Sequence, residues 1–116
     1  MRFKLIIAFV EDSKTDKVVD AAREAGATGA TVINNARGEG LNQKKTFMGL
    51  TLEVQKDVIF FVVEEHRARH ILETVNRVGG FDTESGQGIA LQIDIEDVVG
   101  ISHQVATLTK LVEEEL

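Results

Sequence analysis

The chain has 116 residues, 43% hydrophobic and 28% charged, enough for one domain with a single core but not for two. Cysteine is absent, which excludes disulfides, thiolate catalysis and Cys-ligated zinc and makes a reducing cytoplasm the expected compartment. The net charge of −6 argues against nucleic acid, because the clustered cations (Lys44 with Lys45, Arg67 with Arg69) are too few to track a phosphate backbone.

Residues 3–10, FKLIIAFV, place Phe3, Leu5, Ile7 and Phe9 on one face of a strand and Ile6, Ala8 and Val10 on the other. A strand apolar on both faces must be covered on both. The run is short and stopped by Glu11 and Asp12, so it reads as a strand rather than a signal peptide, and no stretch approaches the length of a membrane span. Asp12 or Ser13 offers an N-cap to a helix carrying Val18, Val19, Ala22 and Ala25, with Gly26 as its stop. TGATVINNA follows as a second strand. From Gly38 to about Val54 the sequence starts as a loop and ends with strand-like alternation. VIFFVV, 58–63, is a third strand, again apolar on both faces. A helix then carries Ala68, Ile71, Leu72, Val75 and Val78 at the 3–4 spacing, with Glu64 and Glu65 at its positive end and Gly79 and Gly80 at its stop. GIALQIDI is the last core strand, and HQVATLTKLVEEEL predicts a short amphipathic helix.

The order β-α-β-β-α-β predicts an α+β fold, the ferredoxin-like sandwich, with a core domain over 1–103 and a helical extension over 104–116. Two helices cover one face of a four-stranded sheet. The other face, equally apolar, is most economically covered by copies of the same chain, so a homo-oligomer is expected. For Gly86-Gln87-Gly88, pattern alone leaves two readings: a tight turn before the last strand, or a backbone cradle for an anion.

Three stretches, GATGATV, ARGEG and GQGIALQIDIEDVVGI, carry a resemblance over about residues 3–101 to the PII signal-transduction proteins and their PII-like relatives. The resemblance implies a homotrimer that binds a small-molecule effector, an adenine nucleotide (ADP, AMP or ATP), in clefts between subunits. It also implies control of a target protein, a membrane transporter or an enzyme, through a T-loop, here about 38–54. Carried over by position, Thr31 and Val63 fall at adenine-contacting places, and Gly38 and Gly40 lie where the T-loop leaves the sheet, next to Arg37. Gly86, Gln87 and Gly88 fall in the phosphate-embracing B-loop, about 82–88.

The departures from that pattern are specific. The family's lysine after the second B-loop glycine is here Ile89, and its two phosphate-gripping arginines are here Gly100 and Ser102. Charge-assisted bonds of roughly 1.5–3 kcal/mol each make three such losses roughly 4–9 kcal/mol, which argues against tight ATP binding of the usual kind. Arg37, Lys44, Lys45 and His103 are the cations left to compensate. The T-loop is several residues shorter than in the nitrogen sensors, and without tyrosine the family's uridylylation is excluded.

No catalytic constellation is legible, so no enzyme is expected. Glu64, Glu65 and Glu113–Glu115 read as solvated acids, and no Ser/His/Asp arrangement is present. His66 and His70 share a helix face at i and i+4, but Arg67 and Arg69 beside them oppose a cation, so no metal is expected. Phe47, Met48 and Leu50 read either as a hydrophobic contact for a partner or as surface covered in a trimer. The alternative to a regulator is a trimeric CutA-like binding or scaffold protein with a metal or no ligand.

Overall fold

The computed structural model describes residues 1–37, 45–47, 50–52, 55–84, 88–103, 105 and 109–110, with the backbone alone for 45–47 and 50–52. Strand β1 spans Phe3–Glu11, β2 Thr31–Arg37, β5 Gln55–Glu64 and β6 Gly88–Asp94; helices α1 (Thr15–Glu24) and α2 (Glu65–Gly79) connect them. The strands form one sheet in the order β2-β5-β1-β6, antiparallel at every step. This is the ferredoxin-like arrangement that the element order implied. The short strands β3 (Lys45–Phe47) and β4 (Leu50–Leu52) form a separate antiparallel ladder inside the expected T-loop. Residues 38–44, 48–49, 53–54 and 85–87 lie outside the described residues. Of the C-terminal extension, positions 105, 109 and 110 are described, and all three are helical.

Period-two alternation explains the core. Ile6, Ala8 and Val10 of β1 and Ile59 and Phe61 of β5 are fully buried, Val63 nearly so, and they cluster with Val18 and Ala22 of α1 and Ala68, Ile71 and Val75 of α2. These positions face the helices, and both helices lie on that side. The helical stripes read from sequence are therefore the ones that pack, at the 3–4 spacing an amphipathic helix requires. Among the described residues, no helix is long and apolar enough to cross a membrane.

Two local expectations are corrected. Neither Asp12 nor Ser13 caps α1: Asp12–Lys14 form a 3-10 turn, and Lys14 occupies the N-cap position without a side-chain cap bond. Distant partners set this junction. Thr15 Oγ1 donates to the buried Asp57 carboxylate on β5 (2.6 Å), and Lys14 reaches across to the end of α2. Glu64 is not solvated but 3% exposed, because it ends β5 as the N-cap of α2 and accepts from the His66 backbone N–H at 2.9 Å. Phe3 pairs with Glu64 at the start of β1 and is buried, and Ile95 N–H donates to its carbonyl (3.3 Å).

Candidate functional site

The face of the sheet turned away from the helices is apolar from edge to edge. Cross-strand pairing arranges it in rows: Ile93–Leu5–Val62, then Leu91–Ile7–Phe60–Thr31, then Ile89–Phe9–Val58–Ile33. Thr31 is the one polar side chain in these rows. Phe9 is 39% exposed, Ile33 51%, Ile89 65%, Leu91 36% and Ile93 48%, so this is a contiguous bare patch rather than scattered surface residues.

The expected ligand residues divide between the two edges of this sheet. Thr31 starts β2 and is exposed on the bare face opposite Phe60. Arg37 ends the same strand, paired with Gln55. Strand β5 continues to Glu64, beyond its last pairing with β2 at Phe60, so its 61–64 edge faces no β2 residue. Val63 lies on that overhang, but its side chain is 2% exposed among core residues, which leaves main-chain groups as what it can present. Gly88 starts β6 at the opposite edge, paired with Val10. Three strand spacings separate β2 from β6, roughly 14 Å. A single subunit therefore does not bring Thr31 or Arg37 to Gly88 around one small ligand. Gly38, Gly40, Gly86 and Gln87 lie outside the described residues.

Gly88 is fixed sterically. Its φ is +155°, and a Cβ there would collide with the Phe9 carbonyl oxygen and approach Phe81 Cε1 to 2.8 Å. The backbone passes where no side chain fits, as a close approach to another backbone requires. The turn before it is also closely held. Gly80 ends α2 in the left-handed conformation (φ 67°), Asp82 N–H donates to Asn76 Oδ1 (3.1 Å), and Asn76 Nδ2 donates to Asp82 Oδ2 (2.8 Å). A groove of about 270 Å³ runs between α2 and β6 beside this turn, with Leu72, Phe81, Ile89 and Ala90 on its apolar side and Arg69, Glu73, Asn76 and Asp82 among its polar residues.

At the three departures, Ile89 presents a hydrophobic side chain 65% exposed, and Gly100 turns the chain at φ 88° with open space around it. An arginine at Gly100 would be strained in that backbone. Ser102 is exposed.

Sequence reasoning missed the Glu64–His66 pair. His66 Nδ1 contacts Glu64 Oε1 at 2.5 Å, and this hydrogen bond, with the carboxylate charge, raises the His66 pKa above its usual 6.5. Glu64, Glu65 and His66 hold their donor atoms within 4.8 Å of one another. Glu64 spends both oxygens on the His66 backbone and ring, so the group acts as a helix cap. His70 is not part of the cluster. Glutamate is an uncommon cap residue, so the sequence carried little signal for it.

Comparison with known proteins follows the same lines. A sequence comparison with curated proteins finds no match. Among solved structures, the chain is similar to CPII bound to ADP, AMP and acetate, from Thiomonas intermedia K12. The TM-score is 0.63 at 21% identity, covering 81% of this chain and 86% of that one. At that identity the likeness speaks for the fold. The family model for nitrogen regulatory protein P-II matches residues 3–104, nearly the whole sheet-and-helix unit, and the chain therefore belongs to the P-II family.

Proposed function

We propose that this chain is a cytoplasmic, non-enzymatic PII-like regulator that assembles as a homotrimer and binds an adenine nucleotide between subunits. The observation that carries the reading is the bare apolar sheet face combined with the division of the ligand residues between opposite edges. If copies meet through that face, the β2 edge of one subunit stands beside the β6 edge of the next. Thr31, Arg37, the main chain at Val63 and the Gly38–Gly40 stem then come from one copy, and Gly86, Gln87 and Gly88 from its neighbour. Membership of the P-II family supports this assembly, and the similar CPII structure holds ADP and AMP.

The nucleotide is an effector rather than a required cofactor. Its binding shifts the conformations available to the T-loop, about 38–54, and so changes affinity for a target protein, for which a membrane transporter is the leading candidate. The core unit is 1–103, and 104–116 is an added helix. Without cations at Ile89, Gly100 and Ser102, outer phosphates gain little, so AMP and ADP are expected to bind comparably and ATP less than about tenfold better than AMP. Calorimetry with AMP, ADP and ATP tests this reading. Heat of binding from AMP and ADP supports it, and silence from all three at millimolar concentration defeats it.

A further inference from the structure

Strand β2 begins at Thr31, and the chain that delivers it, residues 25–30, runs from the end of α1 outside any helix or strand. The start of this connection is held by the helix it leaves. Gly26 N–H donates to the Arg23 carbonyl (3.1 Å) and Ala27 N–H to the Ala22 carbonyl (2.9 Å). Ala25 and Ala27 are buried in the core cluster, and Gly26 between them takes φ 122°, a conformation that L side chains rarely adopt. Arg67, from the first turn of α2, lies on that glycine: a Cβ at Gly26 would stand 2.9 Å from Arg67 Cδ and 3.0 Å from Nη1. The arginine stem therefore rests on main chain, with Nε shut off from solvent.

The same turn of α2 is tied to the other expected base contact. Val63 and Glu64 end β5, Glu64 caps α2 by accepting from the His66 N–H (2.9 Å), and Glu65 N–H donates to the Arg2 carbonyl (3.0 Å). Ala68, next to Arg67, is buried in the same cluster as Val63 and Ala27. Arg67 thus links the segment after Val63 to the connection before Thr31, beyond the last pairing of β2 with β5 at Thr31 and Phe60. A brace of that kind fixes the distance between two groups that read one base, and less freedom is lost on binding than with contacts on independent segments.

We propose that Arg67 is a positioning residue for the base of the effector: it does not touch the nucleotide but holds the connection before Thr31 at a fixed place relative to Val63. The proposal rests on the nucleotide reading above. The test pairs calorimetry of AMP and GMP with amide hydrogen exchange of the unliganded protein, for wild type, Arg67→Ala, Arg67→Gln and Arg67→Lys.

Polar groups held against one base reject another, and loosening them flattens the difference, whereas a general loss of stability weakens both nucleotides alike. Arg67→Ala is expected to reduce the preference for AMP over GMP about tenfold and to speed exchange at Gly26 and Ala27 about tenfold. Arg67→Lys, whose stem also covers Gly26, keeps both within about threefold of wild type. Lys17→Ala, at an exposed position of α1, changes neither. An unchanged preference or unchanged exchange in Arg67→Ala overturns the proposal, as does a wild type that binds nucleotide without favouring AMP. Should Arg67→Ala fail to fold, Arg67→Gln is read in its place by the same two measurements. If wild type binds neither nucleotide, the nucleotide reading falls, and exchange decides the brace by itself: faster exchange in the variant upholds it and unchanged exchange overturns it.

Discussion

Gly88 and Gly29 form a matched pair for testing how far single atoms fix this chain. A Cβ at Gly88 meets the Phe9 carbonyl, whereas one at Gly29 meets nothing within 4 Å. Gly88→Ala should cost about 2 kcal/mol or more, while Gly29→Ala should be neutral or slightly stabilising through the unfolded chain. Urea unfolding of both variants decides the matter, and equal midpoints would contradict it. His66 offers a second test through pH. Its folded pKa is raised above 6.5, chiefly by the hydrogen bond it donates to the Glu64 carboxylate. The stabilisation from the charged ring is therefore fully present below the unfolded value and lost as pH climbs through the raised one. His66→Gln removes that dependence, so wild type should lead the variant more at about pH 5.5 than at about pH 8.5. Parallel stability profiles across that range would refute the pairing. Neither residue was legible from sequence in this role: the Gly-x-Gly pattern pointed to Gly88 without saying what crowds it, and Glu64 was read as solvated.

Strands β1 and β5 and helix α2 were legible because one signal, the spacing of apolar residues, ran through each from end to end. Their ends were not. Lys14, Thr15 and Glu64 take their places from Gly79, Asp57 and His66, and two of those partners are distant in sequence. Strand β2 shows the same limit. Its pairing with β5 slips between Ile33 and Ala36, and Asn35 sits there with φ 65°. The slip is a β-bulge whose left-handed residue asparagine tolerates better than most. Asn35→Val should destabilise by about 1–2 kcal/mol and Asn35→Gly should not, as thermal unfolding can show. The reverse order of stability would mean that the bulge is not a fixed feature of β2. The bulge bears on function as well, because it lies between Thr31 and Arg37 and offsets their pairing with β5 by one residue.

For the whole molecule, the sequence already held the main tension: strands apolar on both faces, with helices for one. The structure resolves which residues are left over, in two rows that cross all four strands, Leu91 to Thr31 and Ile89 to Ile33, and a shorter one from Ile93 to Val62. Among the described residues, Thr31 and Arg37 lie on one edge strand and Gly88 on the other, a separation that depends on strand order and so was beyond local pattern. Leu91→Asp places a charge in the proposed interface, where an unpaired buried charge costs roughly 3–5 kcal/mol. The variant should lose both self-association and nucleotide binding while keeping its far-ultraviolet circular dichroism; retention of the assembly would remove the sheet face from the interface. The central claim is that this face is covered by sister copies, and sedimentation equilibrium of the wild-type protein at about 10 μM, within the range of stable oligomer interfaces, addresses it most directly. A trimer sediments at three times the 12.7 kDa chain mass, and a single-chain mass would contradict coverage of the face by sister copies.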